Sequence, residues 1–70
     1  MKKLTQRQKE VLDCIQAYII KNTYPPTVRE ISDMMNIPST SAVHQHLVLI
    51  EQKGYISVEP ARARAIKVLV

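Results

Sequence analysis

Glycine is nearly missing from this sequence. A lone Gly54 among 70 residues leaves no glycine-rich loop to cradle a phosphate, which removes the common nucleotide-binding motifs. Cysteine is as scarce. Cys14 by itself excludes an internal disulfide and points to a reducing compartment, and its place beside the apolar face of a helical segment makes it a small packed hydrophobe. No apolar run approaches membrane-spanning length, and Lys2-Lys3 is followed by Leu4-Thr5 and a polar stretch rather than a signal-peptide core. A cytoplasmic protein without membrane contact is expected. The carboxylates Glu10, Asp13, Glu30, Asp33, Glu51 and Glu59 are scattered at helix caps or beside Lys and Arg, so nothing resembles a catalytic site and the chain reads as a non-enzyme. His44 and His46 diverge by about 200° on one helix. With Cys14 they lack the spacing of zinc ligands, so no metal and no cofactor are expected.

What is present fits one small domain, residues 1–70, whose core contributes roughly 3–5 kcal/mol net of entropy. Ten Lys and Arg against six Asp and Glu give a formal charge of +4, which suits a polyanionic partner. Thr5 heads a Thr-Gln-Arg-Gln capping box, and the helix it starts runs from residue 6 to about 21, with Val11, Leu12, Ile15, Tyr18 and Ile19 on one side. Asn22, Thr23, Tyr24 and the Pro25-Pro26 pair end it. Thr27 opens a second box, Thr-Val-Arg-Glu, ahead of a helix lined by Ile31, Met34 and Met35. Asn36 tolerates the left-handed backbone that closes this helix, Ile37 packs back on it, and Pro38 prevents its continuation.

A third helix restarts at Ser39. Ala42, Val43, His46, Leu47, Leu49 and Ile50 form its inward stripe, while Ser41, His44, Gln45 and Val48 fall on the other side. Two helices joined by so short a turn are a helix-turn-helix, whose second helix can place short polar side chains against base edges in a major groove. Gly54 supplies the positive backbone angle that stops this helix. Residues 55–58 and 65–70 then alternate as two antiparallel strands, with Ile56 and Val58 on one face and Ile66, Val68 and Val70 together. Their connection carries Arg62 and Arg64 at a loop tip placed to lie along a DNA backbone. The expected fold is mainly α: a winged helix-turn-helix of three helices plus a C-terminal two-stranded antiparallel hairpin.

On this reading the first amides of the third helix, at Ser39, point outward as a phosphate contact. Ser41 meets several base edges with little discrimination, His44 donates to guanine N7 or O6, and Gln45 pairs with adenine. Ala42 lets the backbone approach and can touch a thymine methyl, or serves as a helix former on the core flank. His46 faces the domain.

The chain resembles the N-terminal DNA-binding domain of the LexA repressor family along essentially its whole length. The resemblance rests on Leu4-Thr5 with Arg7-Gln8, Pro25-Pro26-Thr27, Glu30-Ile31, Ser39, Ser41, Val43-His44, His46-Leu47, Lys53-Gly54 and Arg64-Ala65-Ile66. The region from Ser41 to Leu47 looks more like the form found in Gram-positive bacteria than the enterobacterial one. The family implies a repressor of damage-inducible promoters that inserts the third helix into the major groove of palindromic operators. It places Ser39, Ser41, Ala42, His44 and Gln45 toward bases or adjacent phosphates. Thr40 stands in for a common serine, and Gln45 for the glycine of Gram-positive relatives. Family members cut themselves with a C-terminal Ser-Lys domain, none of which lies in these residues; an excised domain or a natural short protein both fit.

Double-stranded DNA is therefore the expected partner. Since all three apolar stripes are needed for one core and no heptad or spare hydrophobic face remains, a free monomer is expected, two copies filling a palindrome. The other reading is a protein-binding winged-helix module that docks on another transcription regulator, which would call for exposed apolar residues on the third helix.

Overall fold

The computed structural model describes residues 2–59 and 64–70. Helix α1 spans Gln6–Asn22, α2 Val28–Met35 and α3 Thr40–Gln52, followed by strands β1, Ile56–Val58, and β2, Ile66–Val68. The strands pair antiparallel with Ile56 opposite Val68, Ser57 opposite Lys67 and Val58 opposite Ile66. This is the expected winged helix-turn-helix.

Local chemistry sets most of the boundaries. Thr5 Oγ1 accepts from the Gln8 amide at 3.2 Å while Gln8 Oε1 accepts from the Thr5 amide at 3.1 Å. Thr27 and Glu30 repeat the exchange at 3.1 and 2.8 Å, so α1 and α2 both begin with two of their orphan donors satisfied. Asn36 ends α2 at φ 55°, and the Ile37 amide reaches back to the Ser32 carbonyl at 3.0 Å. At the end of α3 Gly54 has φ 90°; its amide bonds Glu51 and that of Tyr55 bonds Ile50, a Schellman closure. The Glu51 carboxylate also accepts from the Val58 amide at 2.8 Å, tying the last turn of α3 to β1.

Helix α1 ends in the Asn22-Thr23-Tyr24 segment, as expected. Thr23 itself takes the left-handed conformation, φ 67°, and its amide bonds the Ile19 carbonyl at 2.8 Å. A β-branched residue is strained there.

The core collects Val11, Leu12 and Ile15 from α1, Ile31 from α2, and Ile37 from the turn. Val43, Leu47 and Ile50 of α3 meet them, and Ile56 and Ile66 close the open side. Two residues assigned to inward stripes are instead exposed. Met34, 46 % exposed, lines a shallow groove with Cys14 and Ala17. Leu49 is 43 % exposed. At about 100° per residue Leu49 stands about 100° from Ile50, its nearest neighbour in the Val43–Leu47–Ile50 arc, and only about 40° from Gln45 on the outward side. The strands are shorter than their alternating sequence, leaving Val70 exposed together with Leu69 and Ile20. An apolar margin is thus present where no spare hydrophobic face was expected. Cys14 is partly buried, and burial raises its thiol pKa, as suits a packed side chain.

Candidate nucleic-acid interface

The first turn of α2 and the first two turns of α3 form the two sides of an open groove. Thr27, Val28 and Arg29 line one side; Thr40, Ser41, His44 and Gln45 line the other. The short turn closed by Asn36 brings the two helices together, and Ile31 and Val43, both fully buried, hold them there.

Along α3, Ser41, His44, Gln45 and Val48 are all exposed. Taken from Ser41 they fall within an arc of about 100°, with Val43, Leu47 and Ile50 opposite. Ala42 and His46 are half-buried at the margins, so the two histidines diverge and only His44 stands in the groove. Among the described residues no three His, Cys, Asp or Glu side chains converge on a point that could hold a metal ion.

Ser39 caps α3, with its hydroxyl accepting from the Ser41 amide at 3.2 Å. One of the amides read from sequence as free for a phosphate is therefore already occupied. Ser39 and Thr40 remain exposed at the mouth of the groove.

Arg29 is the groove residue that the sequence reading overlooked. It is exposed on the first turn of α2 and makes no ion pair among the described residues, so its cation is uncommitted beside the polar face of α3. The signal was present in the α2 stripe, since Arg29 lies off the Ile31 face.

The wing arginines separate. Arg62 lies outside the described residues. Arg64 was placed at the loop tip and instead sits just before β2, its exposed guanidinium turned back against Glu30 of α2 at 2.8 Å. The carboxylate is the reason. Arg64 beside Glu30, aided by the Thr27 amide and the Tyr18 hydroxyl, holds the Glu30 pKa down to about 2, and Glu30 raises that of Arg64 in turn.

Three helices, a groove walled by the start of α2 and the outer face of α3, and a closing hairpin define a winged helix-turn-helix protein of the kind that presents one helix to a partner. The sequence profile of the LexA DNA binding domain matches residues 1–65. The chain is also 46 % identical over 69 residues, 99 % of its length, to the LexA repressors of Bacillus mycoides (strain KBAB4), Bacillus cytotoxicus and Bacillus anthracis. The chain belongs to the LexA DNA-binding domain family. It spans about a third, 34 %, of the length of these relatives. Their Bacillus origin agrees with the Gram-positive character read from Ser41 to Leu47. No helix among the described residues is long and apolar enough to cross a membrane.

Proposed function

We propose that the chain acts as a DNA-binding domain that reads palindromic operators in double-stranded DNA and represses transcription in the LexA manner, inside the cell. The carrying observation is the polar outward face of α3, Ser41, His44 and Gln45, opposite the uncommitted cation of Arg29 across one open groove. In this reading α3 enters the major groove. His44 and Gln45 read base edges, Ser41 and Ala42 make adaptable or apolar contacts, and Ser39 and Thr40 meet the backbone. Arg29 neutralises a phosphate at the rim, and the charge of Arg62 suits it to another. Family membership supports control of damage-inducible genes.

Selection of bound sites from a random duplex pool tests this. Enrichment of an inverted repeat is expected, with half-site centres about one helical turn or a multiple apart. If nothing is enriched even at low salt, the DNA reading fails. The protein-docking alternative would then gain from Val48 and Leu49, which leave an apolar ledge beside His44.

A further inference from the structure

Arg64 is held by groups from separated parts of the chain. Its Nη1 donates to Glu30 Oε1 at 2.8 Å and its Nη2 to Oε2 at 3.1 Å, the forked geometry that a guanidinium makes and an ammonium does not. Nη1 also donates to the Pro25 carbonyl at 2.9 Å. The Tyr24 ring lies 4.6 Å from Cζ, a cation–π contact. Tyr18 of α1 completes the set: its hydroxyl donates to Glu30 Oε2 at 3.1 Å and its ring meets Tyr24 edge-on at 5.9 Å. The same Glu30 carboxylate receives the Thr27 amide in the capping box of α2. One side chain therefore joins the end of α1, the first turn of α2 and the base of the hairpin.

That first turn is also one wall of the groove. Thr27, Val28 and Arg29 immediately precede Glu30, so any tilt of the turn changes the separation between Arg29 and the Ser41–His44–Gln45 face. Resting on the DNA-binding reading above, we propose that Arg64 is a positioning residue: through Glu30 it latches the base of the hairpin to the first turn of α2 and sets the width of the groove that receives DNA. Arg64 acts on DNA affinity through the shape of the protein, and phosphate neutralisation falls to other cations.

The test uses Arg64→Gln, Arg64→Lys, Glu30→Gln and the Glu30→Gln/Arg64→Gln double variant. Glu30→Gln keeps an amide oxygen to cap α2. Thermal melts establish that each is folded, and affinity for the selected operator is measured across a salt series. The latch predicts that every single variant weakens operator binding, by roughly three- to tenfold, and that the double variant is no weaker than the singles. Arg64→Lys must fail to rescue, and the slope of log affinity against log salt must stay at the wild-type value. A direct phosphate contact predicts the reverse. Arg64→Lys would retain affinity, Arg64→Gln would flatten the slope by about one unit, and Glu30→Gln, by removing a neighbouring negative charge, would tighten binding. Any of these results overturns the latch.

A second arm needs neither DNA nor a folded variant. NMR titration of the wild-type carboxyls should find Glu30 ionised down to about pH 2. Titration in the ordinary glutamate range overturns the latch. Failure of the wild-type chain to select any duplex overturns the functional reading instead, and the NMR arm then decides the ion pair alone.

Discussion

Replacing His44 with alanine separates base reading from every other role this side chain can have. His44 is exposed on α3, at one edge of the outward arc that holds Ser41, Gln45 and Val48, and belongs to no part of the core. Its loss should therefore change folding stability by no more than about 0.5 kcal/mol, the usual range for an exposed position. A base-edge hydrogen bond is worth about 1–3 kcal/mol, so affinity for the selected operator should fall by roughly 5- to 160-fold. Affinity for scrambled duplex should barely change, and the preference at one base pair should relax. Fluorescence anisotropy with both duplexes at several salt concentrations measures all three quantities. Arg29→Ala serves as the contrasting perturbation, because a phosphate contact carries no sequence information. It should weaken both duplexes alike and reduce the salt slope by about 0.9. Equal losses for His44→Ala on both duplexes would refute the assignment and move His44 to the backbone-contact class.

Other expectations follow from particular residues. Thr23 holds φ 67° at the end of α1, so Thr23→Gly should stabilise the domain by about 0.5–1 kcal/mol and raise Tm by about 3–6 °C; a fall in Tm would show that the strain is absent. Glu30 has a folded pKa of about 2 against an unfolded value of about 4.3. A depressed carboxylate contributes its full stability above the unfolded value and loses it as pH falls toward the folded one. In urea melts, the stability gap between wild type and Glu30→Gln should therefore narrow from pH 4.3 to 2, and a constant gap would contradict the shift. The free chain should sediment as a monomer at micromolar concentration, and fusion to an unrelated dimeriser should tighten binding to a two-half-site operator by about 10²- to 10⁴-fold. A stable dimer without DNA would instead implicate the exposed margin of Ile20 and Val70.

Much of the architecture was written in short-range chemistry. Thr5 with Gln8, Thr27 with Glu30, Asn36 before Ile37 and Pro38, and Gly54 after Lys53 each act within a few residues, so their effect is the same in any surroundings. For that reason the three helices and the hairpin were legible, along with the shared outward face of Ser41, His44, Gln45 and Val48. Periodicity is a property of one element and names which residues stand together. It does not say what stands opposite. The pairing of Arg64 with Glu30 spans 34 positions and that of Lys53 with Gln8 spans 45, and no local pattern announces either. Met34 had the right spacing for the core and was left outside it, because burial depends on whether another element covers the flank. Arg29 became a groove residue only when the start of α2 was set against α3. The sequence alone thus determined the elements, their caps and their outward faces, since these depend on neighbours along the chain. The tertiary structure alone decided which charges are committed and what walls the groove, since those depend on neighbours in space.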